Sequence, residues 1–580
     1  MKRIFTLLIP AFTLPFLLNA QSNIHPTNPL VAQVLLGNYA PGDFAATTVI
    51  TEPAVVTAGI DAGVSPDSLK SYIIRLSQFG TRNAGSDTLS PTTGIGAARR
   101  WVFQKFESFS AQNENRLLVS YLQFDQNICD VDQHRNIMAV LPGSNPARNG
   151  VILIEGHIDS RCDVLCDVTC TAQGVEDNAS GTALVMELAR VMSKYTFENT
   201  IVFMVTTGEE QNLHGARAFA LYVKNNKIPL RAVLNNDVIG GVICGQTSSP
   251  PSCSGFNTID STSVRLFSAG SYNSPHKQLA RFIKLQYREN ILPLAKVPMN
   301  IRIMAPEDRS GRGGDHIPFR QNGYPAMRFT AANEHGDASN GPDYTDRQHT
   351  SDDVLGADTD GDGEVDSFFV QFHYLARNAV INGAAAAIAA RNVPTPVDFS
   401  AIRSNAGIVI VDIVDTANIG AYRIALHTVG HDWDTVYTLT GGTAGTFPAP
   451  LTGGLYVSVA AVDDLGAESL FSGEKFIFIT GTTEPEEEAQ KAVHLLPNRP
   501  NPFDEATWIS FWVNQMPEYR RASILITDMR GKIIEQIPVK LQSGHNEVLY
   551  THGYGVRGAF TYALLIDGKA VDARQMVFAN

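Results

Sequence analysis

Three short apolar runs constrain this chain more than anything else in it: Val151-Ile152-Leu153-Ile154, Ile201-Val202-Phe203-Met204-Val205 and Ala232-Val233-Leu234. Each is continuous, contains β-branched residues and stops at a polar cluster, the pattern of a strand buried on both faces of a parallel sheet. Between the first two lies Ser180 to Tyr195, with Leu184, Val185, Leu188, Val191 and Met192 at helical spacing and Ser180 placed to cap the start. Strand, helix, strand is a crossover unit. The fold class is therefore α/β, a mostly parallel-centred sheet with helices on both faces. Open sheets of this kind place their sites beyond the carboxyl ends of the strands.

Polar residues gather at those ends. Gly156-His157-Ile158-Asp159-Ser160 follows the first run, Thr207-Gly208-Glu209-Glu210 the second, and Asn235-Asn236-Asp237 the third, while Gly174-Val175-Glu176-Asp177 precedes the helix. His157 and Asp159 are two apart, so in extended chain both leave one face, and one can bind a metal while the other orients it. Glu209 and Glu210 diverge, so one can ligate while the other acts as a base. Imidazole with carboxylate is a nitrogen/oxygen set suited to zinc. A lone His-x-Asp after a strand is ordinarily loop polarity. Three acidic clusters at successive strand ends are a different matter, because unpaired carboxylates repel one another. A bound cation relieves that repulsion.

These clusters, together with Asn178-Ala179-Ser180-Gly181, Gln211 and Gln348-His349, resemble the di-zinc aminopeptidases of peptidase family M28 in order and character. The resemblance covers roughly the first two-thirds of the mature chain and implies the zinc exopeptidase fold. It implies that Asp177 bridges two zinc ions, that His157 and Asp237 complete one, and that Glu210 and His349 complete the other. Glu209 is then the general base and Asp159 the partner behind His157, in a zinc-dependent aminopeptidase acting on peptide substrates. Glutaminyl cyclase, which uses a single zinc on the same fold, is an alternative; the Thr207 to Gln211 segment resembles the peptidases more. A non-catalytic surface binding protein would be expected to have lost ligands, and all five positions are filled.

The chain has 580 residues, enough for two to four domains, and a net charge of −13 with no basic stripe to meet phosphates, so no nucleic-acid partner is expected. Residues 1–20 read as a signal peptide: Lys2-Arg3, an apolar run broken by Pro10 and Pro15, then Ala20 before Gln21. No later run is apolar and long enough for a transmembrane segment. The product is expected to be secreted, extracellular or at the cell surface, and to pass through the periplasm. Its six cysteines then suggest disulfides. Cys244 and Cys253 flank one loop and are the expected pair. Cys129, Cys162, Cys166 and Cys170 supply two more bonds whose connectivity sequence leaves open, at the rim of the site.

Asn23 to about Pro53 lacks periodicity and is expected to wrap the domain or hang free. Asp67–Leu76, Gly94–Phe109 and Ser274–Asn290 read as helices, and Arg135–Leu141 as a strand beside Val151. The sequon Asn178-Ala179-Ser180 abuts Asp177 at a helix start and is taken as accidental. Asp315 and His316 resemble a family loop near the metals, with a positioning role rather than a ligating one. Tyr272, Tyr324 and Tyr344 are candidates for stabilising an oxyanion. Asp358, Asp360, Asp362 and Asp366 resemble an EF-hand or dockerin loop for calcium, with Phe369 where the bidentate Glu belongs; a solvated acidic turn is the other reading.

An Ala-rich helix from Phe369 to Arg391 closes a catalytic domain assigned to 21–392, and Pro394-Thr395-Pro396 reads as an exposed linker. Residues 395–482 resemble a fibronectin type III β-sandwich. A charged linker occupies 483–493. Residues 494–580, opening with Pro500-Asn501-Pro502-Phe503, resemble the sorting domain read by type IX secretion machinery. These are two C-terminal β-sandwich domains in all.

Overall fold

The computed structural model describes residues 21–148, 150–244, 257–270, 274–309, 312–333, 347–391, 393–404, 407–428, 432–449, 453–479, 492–503, 505–552 and 557–579. The expected signal peptide and most of the 483–493 linker lie outside them. Among the described residues, nine strands form one mixed sheet. They are β1 (Ser22–Pro26), β2 (Leu118–Ile128), β3 (Val131–Leu141), β4 (Val151–His157), β5 (Thr200–Thr206), β6 (Leu230–Asn236), β7 (Ser263–Ser268), β8 (Asn300–Ile303) and β9 (Ala326–Ala331). Their order is β1-β2-β3-β5-β4-β6-β9-β7-β8. The centre, β5-β4-β6-β9, is parallel, and antiparallel pairs flank it.

The three apolar runs are the core of that centre, and they feed both faces because successive side chains alternate. Ile152 and Ile154 of β4, with Ile201, Phe203 and Val205 of β5, enter one cluster. Val151, Leu153, Val202 and Met204 enter the other. Helices α1 (Pro29–Leu35), α2 (Pro53–Gly63), α3 (Pro66–Ser77), α4 (Gly94–Gln112), α5 (Ser180–Met192), α6 (His214–Asn225), α7 (Pro275–Gln286), α8 (His316–Gln321) and α9 (Phe372–Ala389) cover the two faces. The first cluster packs α2 to α5, α7 and α9, and the second takes α1, α6 and Phe319 of α8. Gly156 permits a close approach in this stack: a Cβ there would lie 2.9 Å from the Asn236 carbonyl oxygen and 3.0 Å from the Gly181 carbonyl carbon.

Three expectations are corrected. Arg135–Leu141 does not lie beside Val151; β3 pairs with β5, Ile137 opposite Val205, and β4 lies between β5 and β6. A local apolar run specifies a strand but not its neighbour. Ser180 does not cap α5. The turn Val175–Ala179 runs directly into the helix, and the Asn178 side-chain oxygen accepts from the Gly181 N–H at 2.9 Å instead. Of the two dispositions expected for the segment after Asn23, it wraps the domain: β1 pairs with β2, and Val31, Val34 and Leu35 are buried. Pro394-Thr395-Pro396 is not an exposed linker, since Pro396 is buried and Thr395 donates to the Leu470 carbonyl at 2.8 Å.

Beyond α9, strands Asp398–Ser404, Ile408–Val414 and Ala444–Pro448 form one sheet, and Thr435–Thr440, Ala421–Thr428, Gly453–Ala461 and Lys475–Ile479 another. Phe399, Val409, Val411, Tyr422, Leu455 and Val457 fill the space between them. This sandwich docks on α7. Arg281 meets Glu474 at 2.8 Å with both side chains buried, and His427 meets the same carboxylate at 3.0 Å. Trp433 and Phe471, ring centroids 4.1 Å apart, join the core cluster of the large domain rather than that of the sandwich. A last pair of sheets, of three and four strands, spans Val493–Phe578, and a buried Arg265–Glu505 pair at 3.0 Å ties it to β7.

Candidate metal centre

The carboxyl ends of β4, β5 and β6 bring His157, Glu209, Glu210 and Asp237 together, as the strand-stop pattern predicts. The turn before α5 adds Asp177, and the loop before α9 adds His349. His157 Nε2 lies 3.2 Å from Asp177 Oδ1 and 3.3 Å from Asp237 Oδ1. His349 Nε2 lies 3.1 Å from Asp177 Oδ2 and 3.1 Å from Glu210 Oε2. Asp177 therefore turns one oxygen to each imidazole. The possible ligand atoms of His157, Glu209 and Asp237 lie within 4.8 Å of one another, and so do those of His157, Asp177 and Glu210. His349 takes a backbone φ of +59°, in the left-handed region that few non-glycine residues adopt.

The donors suit a metal. Two imidazole nitrogens and four carboxylates are a nitrogen/oxygen set of the kind zinc takes. The groups lie close enough to shift one another's proton affinity. Burial alone would lift the Asp177 carboxyl, but hydrogen bonds and charge from His157 and His349 hold it well below the usual range. Burial opposes charge on His157, yet Glu209 and Asp237 push its pKa well up. Glu209 is raised by burial, lowered by His157, and raised again by Asp237, Asp315 and Glu210. The Glu210 Oε1 atom is buried without a hydrogen-bond partner. A divalent cation beside Asp177 would answer all four.

Asp159 does more than stand behind His157. The ring Nδ1 lies 3.1 Å from the Asp159 main-chain carbonyl and 3.8 Å from its carboxylate. That carboxylate accepts the main-chain N–H groups of Gly208 (2.8 Å), Glu209 (3.3 Å) and Glu210 (3.1 Å). One side chain thus fixes both the histidine segment and the turn that carries the two glutamates. Burial raises its pKa to about 6.

Other supports carry no motif. Arg328 reaches Asp237 Oδ2 at 3.2 Å and Asp308 at 3.2 Å, setting the Asp237 rotamer from behind. Asp353 accepts the N–H groups of Glu176 (2.9 Å) and Asp177 (3.0 Å). Arg82, fully buried, donates to the carbonyls of Ile158 (2.7 Å) and Gly174 (2.8 Å), joining the His157 and Asp177 loops. Glu176 accepts from Gly240 and Gly241 at 2.9 and 2.7 Å. Single residues far apart in sequence give no periodic signal; the sole hint is Asp353, four residues after His349.

Residues 136–371 match the family model described as peptidase family M28. A probable zinc metalloprotease of Pyricularia oryzae is 31% identical over 457 residues, covering 75% of this chain and 84% of that protein. The chain belongs to peptidase family M28. A second relative, a probable zinc metalloprotease of Leptosphaeria maculans, is 34% identical over 289 residues, which are 47% of this chain and 65% of that protein. Among solved structures, the LapA aminopeptidase of Legionella pneumophila is similar at 17% identity and a TM-score of 0.42, covering 60% of this chain and 78% of that one.

The remaining expectations fall around this M28 centre. Asp315 accepts from Thr206, and His316 lies 3.2 Å from the Glu307 carbonyl; neither lines the cavity over the cluster. Tyr324 packs on the opposite side, against the α6 face of the sheet. Tyr272 and Tyr344 lie outside the described residues. Asn178 is fully buried and donates to the Asn236 carbonyl at 2.9 Å, which leaves the sequon inaccessible. The rim is stapled by Cys129–Cys166 and Cys162–Cys170; Cys244 is disulfide-bonded, and Cys253 lies outside the described residues. In the acidic loop Asp358, Asp360 and Asp366 come together, whereas Asp362 turns to the Glu364 N–H at 2.8 Å. Among the described residues no helix is long and apolar enough to cross a membrane.

Proposed function

We propose that this chain is a secreted zinc aminopeptidase that releases N-terminal residues from peptides. The observation that carries the reading is the division of the Asp177 carboxylate between His157 and His349. His157 and Asp237 would hold one zinc ion, Glu210 and His349 the second, and Asp177 both. Zinc at such a site supplies a Lewis acid for the scissile carbonyl and acidifies water. Glu209, on the cavity wall, accepts the proton of the attacking water and returns it to the leaving amine. Asp159 keeps the Glu209–Glu210 turn in register with His157. A second imidazole–carboxylate pair at His349 favours two ions over the single ion of the cyclase reading.

The same proposal takes residues 1–20 as a signal peptide, 395–482 as a fibronectin type III-like module and 494–580 as a type IX sorting domain, with export through the periplasm to the cell surface or medium. The pairing of three and four strands in each sandwich supports the domain reading. Calcium at Asp358, Asp360 and Asp366 belongs to the proposal as well.

Elemental analysis with peptidase and cyclase assays tests it. Wild type should bind two zinc ions after loading. Glu209→Gln should keep them and lose about 10²-fold or more in turnover, the scale of a missing general base. Asp177→Ala should fall to one ion or none. One zinc per wild-type chain, with ammonia released from N-terminal glutamine and no residue released from peptides, would sink the assignment.

A further inference from the structure

The loop that follows Arg161 carries aliphatic side chains that the core does not take up. Val164 is 67% exposed, Leu165 43% and Val168 40%. Single apolar residues on a surface are ordinary, but three within five positions form a patch that calls for a counterpart. Their exposure is built in. Two disulfides pin the loop at Cys162, Cys166 and Cys170, and Asp167 accepts the N–H groups of Thr169 at 2.9 Å and Cys170 at 3.2 Å. The Leu165 carbonyl accepts from Asn83 Nδ2 at 2.9 Å and from Gln211 Nε2 at 3.4 Å.

The patch adjoins the metal centre through the same residues. Arg161, next to Cys162, lines the cavity over the cluster and donates to Glu210 at 2.9 Å. Gln211, which holds Leu165, follows Glu210 directly, and Asn212 and Leu213 continue the cavity wall. That cavity, about 370 Å³, is polar: among its described lining residues only Leu213 and Gly313 are apolar. A peptide whose amino end sits over the metals must leave through the mouth. Arg161 and Val164 are three residues apart, about 10 Å at full extension, and an extended peptide advances about 3.3 Å per residue. The third and fourth residues of a bound peptide therefore come within reach of the patch, where their side chains find the apolar surface that the cavity lacks.

We propose that Val164, Leu165 and Val168 form a subsite for an apolar side chain at the third or fourth residue of a peptide substrate. The enzyme then favours tetrapeptides and longer chains with an apolar residue there over dipeptides, aminoacyl anilides and hydrophilic peptides. This rests on the zinc peptidase reading above and names the substrate class of that site.

The full-length, zinc-loaded chain is assayed on Leu-Ala-Leu-Leu-amide against Leu-Ala-Asn-Asn-amide, with Leu-anilide as the substrate that does not reach the loop. Wild type should prefer the apolar peptide by about tenfold or more in kcat/KM, the scale of burying one aliphatic side chain. The gain should lie in KM rather than kcat, because a contact remote from the scissile bond is made equally in the ground and transition states. Replacing both residues, Val164→Ser with Leu165→Ser, should remove that preference and keep wild-type turnover of Leu-anilide. The conservative pair, Val164→Ile with Leu165→Met, should retain it. Calorimetry on Glu209→Gln gives the same comparison without turnover: the apolar peptide should bind about tenfold more tightly, and the serine pair should abolish the difference. Equal kcat/KM and equal binding for the two peptides, or a preference that survives the serine pair, overturns the subsite while leaving the peptidase reading intact. So does a dimer in light scattering that the serine pair dissolves, since a second copy would then cover the patch. Hydrolysis of none of the three substrates overturns the peptidase reading, and the subsite falls with it.

Discussion

Asp159→Asn isolates what the Asp159 carboxylate contributes to the metal centre. In the native chain its Oδ1 serves the N–H groups of Gly208 and Glu209, and its Oδ2 serves Glu210 at 3.1 Å. An asparagine can keep its oxygen at the first pair only by turning its NH2 toward the Glu210 N–H, donor against donor. One charge-assisted bond is lost, about 1.5–3 kcal/mol, and a buried donor is left unmet. The turn can relieve this by moving the Glu210 main chain away, and its carboxylate moves with it. Zinc affinity at the His349–Glu210 position should therefore weaken by about 10- to 100-fold, the usual effect of removing a group that orients a ligand. Chelator competition on the full chain measures this, with the melting temperature of the metal-free protein as a control. Wild-type affinity for every bound ion in a folded Asp159→Asn chain would refute the argument.

Glu474→Ala removes the carboxylate shared by Arg281 and His427 at a buried domain contact, and should destabilise the chain by about 3–5 kcal/mol, read from the denaturant midpoint. Burial, helped by Arg281, lowers the pKa of Lys277 from 10.5 to about 7. The unfolded chain then binds the extra proton between those values, so stability should rise from pH 7 toward pH 10 by at most about 5 kcal/mol. Lys277→Met should flatten that rise, and parallel wild-type and mutant profiles would contradict it. If Asp358, Asp360 and Asp366 hold calcium, millimolar calcium should raise the melting temperature and Asp360→Ala should abolish the rise, whereas an unchanged curve leaves an acidic turn.

Much of the centre is legible in the sequence because it is built at strand ends. A run such as Ile201–Val205 announces a buried strand, and the polar residues that stop it must lie at the sheet's carboxyl edge. Strand order was not legible in the same way: β3 and β4 have similar local patterns, and only the global arrangement puts β5 between them. The Ser180 cap failed because Ser180 already has helical backbone and its hydroxyl donates back to the Glu176 carbonyl at 2.7 Å. Arg82, Arg328 and Asp353 were missed because an isolated charged residue looks the same in sequence whether solvated or buried. The Pro394 linker was misjudged for a related reason: proline marks an interruption of regular structure, while exposure there depends on how the sandwich docks.

The two rim disulfides have a consequence for when this protein can become competent. Cys162–Cys170 closes the loop that begins beside Arg161, and Cys129–Cys166 fastens that loop to the β2–β3 hairpin. The sheet and the six-residue cluster that includes Asp177 need neither bond, so a chain made under reducing conditions can assemble its interior while the mouth of the cavity stays untethered. Oxidation then acts as a finishing step that sets the entrance without altering the floor. Reduction of the mature protein should accordingly spare zinc content while loosening discrimination among substrates, so that the capacity for hydrolysis and the choice of what to hydrolyse answer to different chemical environments.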